Sequence, residues 1–231
     1  IQDFLEPGSI DFDTVLVLVN AVYFKGIWKT TFKEGNTQEL PFSMTKQESR
    51  PVQMMCQNST FKMAVVSAEK IKILELPYIS GELSMLMLLP DDISGLDQLE
   101  NKVSFKKLME WTSPDTMEKK RVKVCLPHMK IGGKYNLTSV LVALGMTDLF
   151  SPLANLSGIS LAESLKISEA IHEAYMEVNE KGMEMAGSVD VMEDIKHSPE
   201  YEEFRADHPF LFWIKHNPTN IILFFGRYRS P

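Results

Sequence analysis

Phe204-Arg205-Ala206-Asp207-His208-Pro209-Phe210-Leu211-Phe212-Trp213-Ile214 and Ile221-Ile222-Leu223-Phe224-Phe225-Gly226-Arg227 close the chain with two strand-like segments. What precedes them decides the reading. Glu180-Lys181-Gly182-Met183-Glu184-Met185-Ala186-Gly187-Ser188 is rich in small residues and strand-competent, and it runs into a charged stretch from Glu193 to Glu203. A strand-competent arm, a long polar loop and two regular strands make a layout that presents a loop outward. It is not the layout of a chain built around a pocket.

Working back from that ending, Leu83 to Leu89 is an apolar run stopped by Pro90-Asp91-Asp92, as in a strand buried on both sides. Thr14 to Phe24 is β-branched and almost continuously apolar, which predicts a second strand covered on both faces. Leu40 to Met55 and Phe61 to Leu76 read as further strands, with Gln57-Asn58-Ser59 as a turn between them. Leu96 to Lys102 and Ser104 to Trp111 read as short helices, the second with Phe105, Leu108 and Trp111 on one face. Arg121-Val122-Lys123-Val124 alternates like a half-buried strand that ends near Pro127. Gly132-Gly133 has a loop-like context, and Tyr135 to Leu144 suits a helix stopped by Gly145. Residues 1–13, with Pro7-Gly8, read as a connecting segment. The fold class expected is α+β, with mixed and antiparallel sheets, short helices and an exposed loop.

The chain has 231 residues, 44% of them hydrophobic, enough for a sizeable core. Its net charge of −7 disfavours bulk attraction to nucleic acid or an anionic membrane. No apolar run reaches the roughly 18 residues of a membrane span. Cys56 and Cys125 make neither a disulfide framework nor a metal cluster; two buried thiols is the favoured reading, and a bridge stays open.

No catalytic or cofactor motif is visible: there is no GxSxG, HExxH or GxGxxG, and the five histidines lack ligand spacing. Acidic pairs such as Asp91-Asp92 and Glu202-Glu203 are ordinary solvated surface. The expectation is a protein that is not an enzyme, with no metal and no cofactor.

Several motifs, in order along the whole chain, resemble the serpin family. Phe204 to Ile214 is similar to its C-terminal signature, and Glu180-Lys181-Gly182 to the hinge of its reactive loop. Asn20-Ala21-Val22-Tyr23-Phe24-Lys25-Gly26-Ile27-Trp28 resembles its central strand, and Leu74 to Tyr78 with Leu83 to Pro90 its core hairpin. Lys46-Gln47-Glu48-Ser49, Pro51 to Met55, Lys134 to Ser139 and Glu202 to Asp207 point to the ovalbumin branch. The resemblance implies one serpin domain over 1–231 lacking about the first two-fifths of the family fold, with hinge and reactive-centre loop at 181–203. It also implies secretion of egg-white type and a serine protease as possible partner. Asn20 and His172 match the shutter that closes the main sheet, and Trp28 the breach where loop insertion begins; satisfied interior polar groups and ordinary core packing are the plainer readings.

In an inhibitory serpin the cleaved loop inserts into the main sheet before the acylated protease can hydrolyse free. Counting from the hinge puts the scissile bond at Lys196-His197, which would suit a trypsin-like enzyme; a solvated loop lysine is the alternative. The hinge of Glu180, Lys181, Gly182, Met183, Glu184, Met185 and Ala186 departs from the inhibitory pattern, because Met183 stands where Thr or Ser is usual and Met185 where Ala is. Alternate residues of an inserting strand share a face, so both would turn inward, and their bulk opposes insertion. The expectation is a poor inhibitor or none.

One basic cluster interrupts the acidic balance: Lys119, Lys120, Arg121, Lys123, Lys130 and Lys134, opposed nearby only by Glu118. Lys119, Arg121 and Lys123 would share one strand face. A solvated face is one reading, heparin-like glycosaminoglycan binding another, and microbial surfaces a third target for a defence role. Asn58, Asn136 and Asn155 open three N-glycan sequons, and Asn136 also suits a helix N-cap.

Overall fold

The apolar run Leu83–Pro90 (β5) sits in the middle of a sheet, between Ile71–Pro77 (β4) and Phe210–His216 (β10), with both of its faces buried. This computed structural model describes residues 4, 5, 7, 8, 10, 12–160, 165–180 and 201–231. They fall into two compact units: residues 1–25 with 130–177, and 26–129 with 178–231.

The second unit holds an eight-stranded sheet. Besides the three strands named, it contains Thr37–Ser43 (β2), Ser49–Val66 (β3), Glu118–Pro127 (β6), Glu202–Arg205 (β9) and Ile221–Tyr228 (β11). The order is β11-β10-β5-β4-β3-β6-β9, with β2 also on β3. All pairings are antiparallel except β6 with β9. Alternation splits its core in two. Ala64, Ile73, Leu86, Leu88 and Trp213 line one face, against Leu96–Lys102 (α1) and Phe105–Trp111 (α2) through Leu96, Leu99, Leu108 and Trp111. Met63, Leu74, Met87 and Phe212 stand in register on the other face and are equally buried. Ser104 caps α2 by accepting from the Lys107 amide. Phe105, expected on the packed face, is instead 63% exposed, because it opens the helix one turn before Leu108 reaches the core.

The expected turn at Gln57-Asn58-Ser59 is not there. β3 runs through it without a break, since each of these residues pairs with β6: Gln57 with Val124, Asn58 with Lys123 and Ser59 with Val122. The chain turns earlier instead, at Met44–Glu48, where the amides of Met44 and Thr45 both donate to the Glu48 carbonyl. Cys56 and Cys125 are directly opposed on the same two strands and form a disulfide, so the favoured reading of two thiols is corrected. Neighbouring antiparallel positions bring the two Cα atoms to 4.2 Å, close enough to bridge.

In the first unit Val17–Lys25 (β1), Glu169–Val178 (β8) and Met129–Asn136 (β7) form a sheet of order β1-β8-β7, with β1 and β8 parallel. Gly132, Gly133, Tyr135 and Asn136 are therefore strand residues, not loop or helix; the helix, Thr138–Ala143 (α3), starts later and ends before Gly145 at φ +96°. Gly132 is accommodated beside the Tyr175 ring of β8. The cover expected on both faces of Thr14 to Phe24 is not found among the described residues: β1 pairs there only with β8, and Leu18, Val19 and Tyr23 are exposed.

Candidate functional site: the loop anchors and the basic face

Residues 181–200 lie outside the described residues, and with them Lys181, Gly182, Met183, Glu184, Met185, Ala186, Lys196 and His197. The chain on either side of them is firmly held. On the near side Trp28 is buried, stacks on Tyr78 with ring centroids 4.7 Å apart, and donates from Nε1 to the Asn179 carbonyl at 2.9 Å. Burial pushes the Tyr78 phenol far above its usual range, so it stays neutral. Backbone bonds from Lys29 to Pro77 and from Ile79 to Ile27 fix this corner.

Next in the chain, the buried carboxylate of Glu180 accepts from the Thr37 hydroxyl and lies 2.8 Å from His128 Nε2. Burial drives its pKa upward, but the bonds from Thr37, from its own backbone amide and from His128 outweigh that, holding it below the usual carboxylate value. Thr37 opens β2 and His128 follows β6, so neither is near Glu180 in sequence. Nothing in the sequence singles out Thr37 or His128, and it marks Tyr78 only as part of a strand motif.

On the far side the chain joins the sheet at once. Glu202 and Glu203, expected in the loop, are already in β9, parallel to β6. Glu202 Oε1 lies 2.9 Å from Lys120 Nζ, Phe204 is fully buried, and the Ala206 amide donates to the Cys125 carbonyl.

Asn20 and His172 are brought together: they are register partners across β1 and β8. His172 is half-buried and lies beside Tyr135, with ring centroids 6.2 Å apart, but Asn20 is exposed. Among the described residues β1 pairs only with β8, and the side of β1 away from β8 has no strand on it.

The basic cluster divides. Lys119, Arg121 and Lys123 share one face of β6, and Lys62 of β3 joins them, opposite Lys119. Lys120 points to the other face and is paired with Glu118 and Glu202, the Glu202 hydrogen bond being the largest cause of its raised pKa. Lys130 and Lys134 belong to β7, outside this sheet. Glu118 is also not the sole opposing charge: Glu75 lies 3.4 Å from Lys62, and Glu203 stands in register with Lys123. Among the described residues, no carboxylate lies within ion-pair distance of Lys119, Arg121 or Lys123. Asn58 and Asn155 are exposed; Asn136 accepts from the Thr138 amide at the start of α3, and Asn155 from Ser157. Among the described residues no group of acidic, His or Cys side chains is placed to hold a metal ion, and no helix is long and apolar enough to cross a membrane.

The profile of the serpin (serine protease inhibitor) family matches residues 1–231. The chain is a serpin. This serpin is 68% identical over 231 residues to ovalbumin-related protein X of Gallus gallus, with all of both chains covered. It is 62% identical to ovalbumin-related protein Y of the same species and 66% to the ovalbumin of Dromaius novaehollandiae, spanning 60% and 58% of their lengths. Uncleaved ovalbumin superposes on 99% of the chain with a TM-score of 0.89 at 56% identity, covering 58% of that structure. A cleaved, loop-inserted ovalbumin mutant matches 90% of the chain and 53% of its own, with a TM-score of 0.78 and 53% identity. The chain is therefore partial relative to most of these relatives, and its family is described by serine protease inhibition and not by an enzymatic reaction.

Proposed function

We propose that this serpin is a secreted, egg-white protein of ovalbumin type, folded as one domain with its reactive-centre loop after Glu180. It serves as a storage or carrier protein, inhibits proteases weakly or not at all, and binds heparin-like polyanions. The non-inhibitory reading rests on Met183 and Met185 in the hinge, which would have to turn into the sheet if the loop inserted. The ties of Glu180 to Thr37 and His128 support it, since the near end of the loop starts from a satisfied, buried anchor. Shutter roles for Asn20 and His172 and a breach role for Trp28 belong to the same proposal. The loop-inserted structure of a P1–P1′ cleaved ovalbumin mutant supports a scaffold of this type able to take in its cleaved loop.

The test is incubation of the full-length protein with trypsin, followed by SDS gel electrophoresis. Cleavage after Lys196 without a covalent complex is the expected result. A stable complex at near-equal stoichiometry would establish the rival, an active inhibitor using Lys196-His197. Polyanion binding rests on the exposed face of Lys62, Lys119, Arg121 and Lys123. Changing Lys119, Arg121 and Lys123 to Ala should lower the salt needed for elution from heparin. It should also flatten the log–log salt dependence by about two to three, as expected when three cations are removed. Killing assays with the same variant separate the defence reading, which needs loss of killing and not of binding alone.

A further inference from the structure

We infer that Asn58 carries an N-glycan whose presence or absence gates the basic face. This inference rests on the polyanion reading above and adds its regulation. The sequon Asn58-Ser59-Thr60 does not lie in a turn but within β3, and its register on β6 is what matters. Asn58 stands opposite Lys123, Thr60 opposite Arg121, and Lys62 opposite Lys119. Opposed residues of an antiparallel pair project from the same side with Cβ atoms about 4.5–5.5 Å apart, and diagonal neighbours at about 7–8 Å. Asn58 and Thr60 are therefore interleaved with the cations that define the face, and Asn58, Thr60, Lys62, Lys119 and Lys123 are all exposed.

A glycan is bulky, hydrated and uncharged at its core. Attached through the Asn58 amide nitrogen, it starts within one side-chain spacing of Lys123 and covers the approach to Arg121. A sulfated chain and this glycan compete for the same surface. The strands cannot slide to separate them, because the Cys56–Cys125 bridge ties β3 to β6 two residues from Asn58. That bridge also belongs with export, since disulfides persist in the oxidising compartments of secreted chains, where N-glycans are added. Asn136 ends β7 and Asn155 lies beyond α3, so neither sequon shares these two strands. A molecule made with and without the Asn58 glycan would thus exist in a polyanion-blind and a polyanion-binding form.

The experiment uses full-length protein secreted from eukaryotic cells, with glycopeptide mass spectrometry at Asn58 and salt elution from immobilised heparin. Two variants remove the acceptor independently, Asn58→Gln and Thr60→Val, the second keeping a strand-forming residue. Each is also combined with Lys119→Ala, Arg121→Ala and Lys123→Ala. The gate predicts Asn58 occupancy, weaker retention of the occupied fraction, and about tenfold or more tighter binding by both acceptor variants. It also predicts loss of that gain in the combined variants. An unoccupied Asn58, or equal retention of the occupied and acceptor-free forms, would overturn the gate while leaving the polyanion reading intact. If neither acceptor variant binds heparin, or binding ignores the three alanines, the polyanion reading falls and the gate with it.

Discussion

His208 shows how much a single side chain depends on its neighbours here. Its Nδ1 lies 2.9 Å from Asp207 Oδ1 and its Nε2 2.7 Å from the Pro90 carbonyl. Both partners only accept, so the ring satisfies both only when it carries two protons. Burial works against that charge, but the bonds to Asp207 and Pro90 outweigh it and raise the pKa above the usual histidine value. A folded pKa above the unfolded one stabilises fully below about 6.5, and the contribution disappears as pH rises through the folded value. Urea titrations should therefore show a stability gap between the parent and His208→Gln that is widest near pH 6 and narrows by pH 9. A gap that widened with pH would contradict this assignment. A second residue-scale case is Gly226, paired with Phe212, whose ring occupies the space a Cβ would need. Gly226→Ala should cost about 1–3 kcal/mol by overpacking, read as a lower denaturation midpoint with unchanged slope.

At the scale of elements, β3 and β6 form the backbone of the second unit, and β9 enters the sheet only through β6. The Cys56–Cys125 bridge closes a loop with a sequence separation of 69 between these strands. Replacing both cysteines by Ala should lower unfolding stability by about 2–4 kcal/mol in equilibrium denaturation of the full-length protein, most of it through a less constrained unfolded chain. If the double variant were as stable as the parent, the bridge would be structurally idle. The helices α1 and α2 are held by apolar packing, and by Glu69, whose carboxylate meets Lys102 at 2.9 Å and Lys107 at 2.8 Å. These partly exposed pairs add less than the packing of Leu99, Leu108 and Trp111. Leu108→Ala should cost about 2–5 kcal/mol, measured in the same way.

For the molecule as a whole, inhibition by the proposed loop would require the segment after Glu180 to enter a sheet faster than a protease escapes. Overpacking by Met183 and Met185 of about 1–3 kcal/mol, if carried into the insertion barrier, would slow that step about 5- to 150-fold. Met183→Thr with Met185→Ala in the full-length protein should raise the fraction of trypsin trapped as a covalent complex, quantified on gels across a stoichiometry series. No gain would place the obstacle elsewhere, for instance at the Glu180 anchor. Much of this was legible in the sequence, because it is carried by local pattern. The apolar run of β5, the alternation of Val122 and Val124 and the two final strands all come from residue type and spacing. Only the tertiary structure decided the rest, because it depends on what lies across a strand or far along the chain. Ladder pairing with β6 overrode the turn propensity of Gln57-Asn58-Ser59 and joined two cysteines. It also gave Lys120 its partner Glu202 and brought Lys62 onto the basic face. Thr37 and His128 meet Glu180 from sites no local pattern connects to it.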